Sequence, residues 1–225
     1  MDGSARQAVA DEQAHTGHAI YSKSLLRVYD LCALRFSGRF IWRCPMTAVV
    51  TLYSRHVTAN HLDVGVGTGV FLDRCVWPTT QPRIALMDVN PNCLDAATRR
   101  LARYQPEVYR ANVLEPLPFQ LARFESISVS WLLHCLPGDI HSKASVFDHL
   151  LAVLNPGGVI FGATLLNEGV RHTAISRRLS TLYNAQGIFT NLHDDVEGLK
   201  QVLAARFSSF SVDIIGCGAL FSGRT

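Results

Sequence analysis

The sequence predicts an α/β fold with a doubly wound, mostly parallel sheet and an antiparallel hairpin at its C-terminal edge. Five apolar strand patterns alternate with helical patterns between residues 60 and 206, and such alternation is typical of parallel sheets covered by helices. A cluster of glycines directly follows the first strand, at the sheet edge where open α/β sheets bind ligands. Alternating apolar residues around a Gly-Cys-Gly turn close the chain as a hairpin.

Size and composition bound the function classes. The chain has 225 residues, 48% of them hydrophobic and 17% charged, which suits one domain with a sizeable core and excludes wholesale disorder. The net charge of +3 gives no case for a surface that binds nucleic acid. No apolar run approaches the roughly 20 residues that span a bilayer. Six cysteines without a C-x-x-C pair predict free thiols. We therefore expect a cytoplasmic protein with neither membrane nor nucleic acid as partner.

The N-terminal part is helical in pattern. Apolar residues recur at helical spacing between residues 18 and 36, Pro45 marks a break, and a second helix is expected at 46–56. We interpret residues 1–57 as a helical lid segment and residues 58–225 as the sheet domain to which it belongs.

The remaining elements follow in order. Strands are expected at 60–64, 83–88, 108–113, 124–133 and 159–166. Helices are expected from Val70, from Pro91 and over 145–154, with two more in 168–206 broken near Gly187. The sequence Asn155-Pro156-Gly157-Gly158 predicts a turn before the fifth strand.

The glycine cluster carries the chemistry. Its spacing, Gly65-x-Gly67-x-Gly69, differs from the dinucleotide fingerprint, which would need a glycine at Val70. Glycines at these positions let a ligand approach the backbone closely. Asp63 ends the strand before the loop and suits a ligand with a positive charge or an ammonium group. A nicotinamide cofactor is therefore disfavoured.

Further residues continue this pattern at later strand ends. The segment from Asp63 to Gly69, followed by Asp88, Asn112-Val113, Ser130-Trp131 and the Pro-Gly-Gly loop, resembles the class I S-adenosylmethionine-dependent methyltransferases. The resemblance implies a Rossmann-like, seven-stranded sheet, S-adenosyl-L-methionine as cofactor and S-adenosyl-L-homocysteine as product. It covers roughly residues 58–166 well.

The resemblance implies a set of cofactor-binding residues: Asp63, Gly65, Gly67, Gly69, Asp88, Asn90, Asn112, Val113, Ser130 and Trp131. Tyr21, in the expected lid, is a further candidate for contact with the methionine end of the cofactor, and a position on a surface helix face is its alternative. Each has a plainer interpretation. Asp88 could cap the helix that starts near Pro91, Asn112 could be a polar loop residue, and Trp131 could belong to the core.

The expected reaction is in-line methyl transfer to a small metabolite, which needs positioning and exclusion of water. His134, after the fourth strand, is the candidate general base, and a structural role is its alternative. His172, Tyr183, His193 and Asp194 are weaker candidates for substrate contact.

No carboxylates follow the fourth strand, so we expect no catalytic metal. Its Ser-Trp-Leu-Leu sequence also lacks the Pro-Pro-aromatic pattern of enzymes that methylate base amino groups. A cofactor-steered rearrangement and a non-catalytic binding protein remain the alternative functions. The protein is expected to be a monomer or homodimer.

Overall fold

The computed structural model describes residues 30–117 and 123–225. Most of the predicted helix over 18–36, including Tyr21, lies outside the described residues. Its last part falls within a helical segment, Asp30–Ile41, which is wound in the wide π form.

The helices and strands alternate as predicted. The helices are α1 (Met46–His56), α2 (Val70–Arg74), α3 (Pro91–Arg100), α4 (Ser145–Leu151), α5 (Ala174–Ala185) and α6 (Val196–Ala204). Short 3-10 turns lie at Ala102–Tyr104, Leu133–Cys135 and Ser142–Ala144. The strands are β1 (Asn60–Val64), β2 (Arg83–Asp88), β3 (Glu107–Arg110), β4 (Phe124–Ser130), β5 (Leu154–Leu165), β6 (Ser209–Ile215) and β7 (Gly218–Arg224).

The seven strands form one sheet in the order β3-β2-β1-β4-β5-β7-β6. Strands β1 to β5 are parallel, and β7 pairs antiparallel with both β5 and β6. The predicted fold class is confirmed. Since the strand order reverses between β1 and β4, a crevice opens there at the carboxyl ends, and this is where such sheets bind ligands.

Several predicted boundaries were wrong. The helix predicted over 145–154 ends at Leu151, and β5 already begins at Leu154. The fourth strand ends at Ser130 rather than at residue 133, because Trp131 adopts a left-handed backbone with φ +58°. The third strand stops at Arg110, and a turn follows it. The predicted turn at 155–158 lies inside β5, where the register shifts so that Phe124 pairs with Leu154 and Ser126 with Val159.

Two apolar layers sandwich the sheet. Helices α1, α2 and α3 pack on one face through residues such as Leu52, Phe71 and Leu94. Helices α4 and α6 pack on the other, through Phe147 and Leu199 among others. No helix within the described ranges is long and apolar enough to cross a membrane. Cys44, Cys75, Cys93, Cys135 and Cys217 are free thiols, and all of them except Cys135 are buried.

Candidate functional site

The loop between β1 and α2 is built by three glycines in left-handed conformation. Gly65, Gly67 and Gly69 have φ angles of +70°, +53° and +71°. The loop is pinned to the neighbouring strand, since the Gly65 amide donates to the Met87 carbonyl at 2.8 Å. Only glycine adopts this backbone without strain, so the sequence pattern is a conformational requirement.

The three glycines differ in what a side chain would meet. A Cβ at Gly65 would press against the Leu132 side chain at 3.0 Å, and one at Gly69 would meet the Ala97 Cβ at 3.2 Å. A Cβ at Gly67 would meet no atom of the described residues within 4 Å. A side chain at Gly65 or Gly69 would therefore collide with neighbouring side chains, whereas the space at Gly67 is open to a ligand.

Asp88 ends β2 beside this loop. One carboxyl oxygen accepts a hydrogen bond from the Asn90 amide at 2.9 Å, and the other accepts one from the Gly67 amide at 3.4 Å. Burial raises the pKa of Asp88 to about 6. The capping role considered for Asp88 belongs instead to Asn90, whose side-chain oxygen accepts from the Asn92 amide at the start of α3.

Asp63 lies at the other side of the loop and is 3% exposed. Its Oδ1 accepts hydrogen bonds from the Tyr53 hydroxyl, at 3.0 Å, and from the Ser128 hydroxyl. Burial raises the pKa of Asp63 to about 7, and the negative charge of Asp88 adds to the rise. Two carboxyl groups with raised pKa values thus flank one glycine loop, which is a feature of functional sites.

Asn112 and Val113 follow β3 at the same sheet edge. The Asn112 side chain has partners on both amide atoms: Nδ2 donates to Glu115 at 3.0 Å, and Oδ1 accepts from the Leu114 amide at 3.1 Å. Val113 is buried, and its carbonyl accepts from the His149 ring at 2.8 Å. Asn112 therefore holds the turn after β3 through its side chain, and its second amide hydrogen and second oxygen lone pair take no part in these two bonds.

Ser130 and Trp131 lie where β4 meets the crevice. Ser130 is buried and pairs with Ala163 of β5. The left-handed backbone of Trp131 is uncommon for a residue other than glycine and is a form of strain found at functional sites. Its indole nitrogen is buried and has no hydrogen-bond partner in the part of the chain that the structure describes. Buried hydrogen-bond donors are rarely left without an acceptor, so this N–H group is a candidate for bonding a ligand.

His134 is 4% exposed. Its Nδ1 accepts a hydrogen bond from the Leu165 amide at 3.3 Å, so the ring proton of the neutral imidazole lies on Nε2. Burial lowers the pKa of His134 to about 3, and the positive charge of Lys143 adds to the effect. The imidazole is consequently held neutral by its surroundings at physiological pH.

An aromatic cluster borders the crevice. Phe189 is at its centre, with the ring centroids of His134 at 4.7 Å, Tyr183 at 5.1 Å and Trp42 at 5.7 Å. Trp131 extends the cluster toward the glycine loop, at 5.9 Å from His134. The cluster joins the N-terminal segment, the end of β4 and the segment around α5, and Trp131 also packs against the apolar cluster that contains Val66 of the glycine loop.

The weaker candidates separate in space. Tyr183 belongs to the aromatic cluster, His172 donates through Nε2 to a backbone carbonyl at 3.1 Å, and His193 is exposed. Asp194 is fully buried and forms an ion pair with Lys143 at 2.6 Å. Lys143 is also fully buried at its charged end and reaches the loop that follows α5. This pair therefore serves the architecture of the segment after β5.

The sequence pattern did not indicate Tyr53, Ser128 or Lys143. Tyr53 lies on a helix outside the glycine motif, and Ser128 is one of several serines in an apolar strand. What distinguishes these residues is that their polar side chains are buried within a helix or strand. Their burial becomes apparent only when the neighbouring elements are known. No group of three or more metal-binding side chains occurs within the residues described.

Comparisons with known proteins agree with this arrangement. A family model described as a methyltransferase domain matches residues 62–160. The chain is 40% identical over 215 residues to demethylluteothin O-methyltransferase of Streptomyces thioluteus, covering 96% of this chain and 94% of that protein. It is 37% identical over 207 residues to the physcion biosynthesis cluster O-methyltransferase of Aspergillus chevalieri, covering 91% and 93%. The N-methyltransferase vrtF of Penicillium aethiopicum is 34% identical over 184 residues, covering 80% and 76%.

Solved structures share the fold. The DhpI complex with S-adenosylhomocysteine superposes with a TM-score of 0.64 at 14% identity, covering 94% of this chain and 96% of that one. The N-methyltransferase NodS of Bradyrhizobium japonicum, also with S-adenosylhomocysteine, gives 0.54 at 19% identity, covering 80% and 84%. At these identities the likeness concerns the fold.

Proposed function

Since the chain belongs to the class I S-adenosylmethionine-dependent methyltransferases, we propose that it methylates a hydroxyl oxygen of a small organic molecule. Oxygen as the acceptor atom is supported by the two relatives at 40% and 37% identity, both named O-methyltransferases. A small-molecule acceptor is also supported by the net charge of only +3, which offers little attraction to nucleic acid.

The cofactor is S-adenosylmethionine, and the glycine loop fits it. The observation that carries the assignment is the open space in front of Gly67, flanked by Asp63 and Asp88 at the reversal of strand order. Asp88 presents carboxylate oxygens suited to ribose hydroxyls, and Asp63 suits an ammonium group. Gly65, Gly69, Asn90, Asn112, Val113, Ser130 and Trp131 complete the proposed cofactor-binding set.

The chemistry that the cofactor supplies when bound is an electrophilic methyl group on a sulfonium centre, with S-adenosylhomocysteine left after transfer. The protein's part is to align the acceptor for in-line displacement and to exclude water. The aromatic cluster supports this role, because Trp131 links it to the apolar residues around Val66 of the glycine loop. Trp131 adds an indole N–H without a partner among the described residues.

The role of His134 stays a prediction. Its position after β4 supported a general base, whereas its burial and its bond from the Leu165 amide support the structural alternative. Residues 1–57 are proposed to act as a lid. The ring contacts of Trp42 with Tyr183 and Phe189 support this lid role, because they connect the N-terminal segment to the aromatic cluster. We retain a cytoplasmic monomer or homodimer as the proposed state.

One experiment tests the function and the acceptor atom together. The protein is incubated with S-adenosylmethionine and matched pairs of planar acceptors, such as 1-naphthol and 1-naphthylamine, and the products are read by mass spectrometry. A gain of one methylene mass on the hydroxyl compounds, with stoichiometric S-adenosylhomocysteine, is expected. Methylation of the amines alone would replace the O-methyl assignment, and altered acceptors without S-adenosylhomocysteine would indicate a rearrangement. Failure to bind S-adenosylhomocysteine in calorimetry would refute the proposal.

A further inference from the structure

A chain of buried polar side chains runs along one face of the neighbouring strands β1 and β4, below the glycine loop. The Tyr53 and Ser128 hydroxyls both bond Asp63 Oδ1. Ser128 also contacts His61 Nε2 at 3.0 Å, and His61 Nδ1 contacts the Ser126 hydroxyl at 2.8 Å. All five side chains are buried. We call them the buried polar chain, and its upper end is the carboxyl group that precedes the loop.

The direction of the hydrogen bonds follows from the donors available. Ser128 has one hydroxyl hydrogen and gives it to Asp63, so its oxygen accepts from His61 Nε2–H. His61 Nδ1 then accepts from Ser126. This order fixes the tautomer of a neutral His61, and burial lowers the pKa of His61 to about 3, which keeps it neutral. The buried polar chain therefore brings no positive charge close to Asp63.

The two oxygens of Asp63 are unequal. Oδ1 accepts both hydrogen bonds, and Oδ2 accepts none from the part of the chain that the structure describes. A protonated Asp63 consequently carries its hydrogen on Oδ2, because Oδ1 is already an acceptor twice. The oxygen without protein partners is also the one that holds the exchangeable proton.

The titratable groups around Asp63 come from four elements. Tyr53 belongs to α1, His61 to β1 and Asp88 to β2, and Cys75 follows α2. None of them is a cation: burial raises the pKa of the Tyr53 hydroxyl well above its usual value and that of Cys75 to about 12, so both are neutral. Asp88 contributes negative charge. No Lys or Arg forms an ion pair with Asp63 in the described ranges.

We propose that Tyr53 and Ser128 are positioning residues that reserve Oδ2 of Asp63 for the ammonium group of the bound cofactor, and that binding releases a proton from Asp63 to solvent. This rests on the proposed function. The carboxyl O–H bond breaks, its proton goes to the buffer, and the carboxylate left behind pairs with the ammonium group. A buried carboxylate without a cation is unfavourable, and the incoming ammonium removes that penalty.

The sign of the pH dependence follows from the surroundings of Asp63. Its pKa is raised to about 7, so half of the free protein carries the proton at that pH. The cofactor product S-adenosylhomocysteine keeps the ammonium group and prefers the ionised carboxylate. Its affinity should therefore fall about tenfold from pH 8 to pH 6, with release of about half a proton per site at pH 7.

Isothermal titration calorimetry with S-adenosylhomocysteine measures both quantities. Titrations at pH 7 in phosphate and in Tris, whose ionisation enthalpies differ, give the number of protons released. Titrations over roughly pH 5.5–8.5 give the midpoint of the affinity curve. Asp63→Asn should remove the midpoint near 7 and leave the weaker dependence from Asp88, whose pKa is about 6.

The variants Tyr53→Phe and Ser128→Ala test the positioning role. Each removes a hydrogen bond that favours the carboxylate, so the midpoint should rise by about one pH unit. Tyr53→Phe keeps the ring that packs against Phe71 and Phe161. Ser180→Ala is the matched control, since it removes another buried serine hydroxyl with one side-chain partner, far along the chain on α5.

The outcomes are separable. A raised midpoint in Tyr53→Phe and Ser128→Ala, with none in Ser180→Ala, supports the proposal. An unchanged midpoint in folded Tyr53→Phe, or an equal proton release from wild type and Asp63→Asn, overturns it. If Ser128→Ala does not fold, Tyr53→Phe decides alone. A wild-type protein that does not bind S-adenosylhomocysteine overturns the proposed function instead.

Discussion

Replacing His134 by Asn separates a structural role from a catalytic one. The Asn side-chain oxygen can take the place of Nδ1 and accept from the Leu165 amide, which now bonds the ring at 3.3 Å. It cannot act as a base. His134→Ala removes both functions and leaves a hole beside Phe189, whose ring centroid is 4.7 Å away. If His134 is structural, Asn should restore what Ala loses.

The magnitude follows from the environment of the ring. Burial lowers the pKa of His134 from 6.5 to about 3. Protonating the ring therefore costs roughly 5 kcal/mol more than in water, since one pKa unit corresponds to about 1.4 kcal/mol. A base with that penalty is several thousandfold weaker as a proton acceptor. We expect His134→Asn to keep kcat within about tenfold of wild type, below the usual contribution of a general base.

His134→Ala should lower the free energy of unfolding by about 2–4 kcal/mol, from the unpaired Leu165 amide and the cavity. The assays are urea denaturation, calorimetric affinity for S-adenosylhomocysteine and initial rates at saturating acceptor. A fall in kcat of about a hundredfold or more in His134→Asn, with stability and affinity unchanged, would refute the structural interpretation and establish the base.

Three further predictions concern the loop, the second carboxyl group and the buried ion pair. Gly67→Val and its control Gly157→Val place a side chain at φ +53° and +74° in equally open space, so each variant should lose about 2 kcal/mol of stability. Calorimetry should show a loss of S-adenosylhomocysteine affinity only for Gly67→Val. Equal affinity in the two variants would contradict the assignment of the loop to the cofactor. Asp88→Asn should weaken the same affinity by about 1.5–3 kcal/mol, and an unchanged Kd would contradict its role. Lys143→Met should lower the free energy of unfolding, measured in urea, by about 3–5 kcal/mol, because the buried Asp194 loses its partner. Adding Asp194→Leu to this variant should recover part of the lost stability. Strictly additive losses in the double variant would count against a stabilising interaction between the two side chains.

Local signals sufficed for much of the fold. The bounds of β1, β2 and α1 agree with the sequence-based prediction residue for residue. Gly65 follows β1, Asn90 and Pro91 lie just after β2, and Pro45 precedes α1, so neighbouring residues mark these boundaries. The site follows from the same logic, because parallel strands place the residues after their carboxyl ends at one edge.

Non-local partners explain what the sequence could not predict. The sequence predicts that Trp131 continues β4. In the structure its backbone is left-handed, and the chain turns into the crevice at this residue. The sequence predicts Asp194 only as a weak candidate for substrate contact and makes no prediction for Lys143, since Lys and Asp are seldom fully buried. They are 51 positions apart, and only folding brings them into contact. No local pattern records such a pair.

Asp63 and Asp88 also differ in whether their hydrogen-bond partners are local or distant in sequence. Asp88 is held by the backbone amides of Gly67 and Asn90, groups that any sequence with this loop supplies. Asp63 is held by the side chains of Tyr53 and Ser128, which come from elements outside the glycine motif. The behaviour of Asp88 can therefore be inferred from the motif. The protonation of Asp63 depends on substitutions far along the chain, so proteins with the same motif can bind the same cofactor over different ranges of pH.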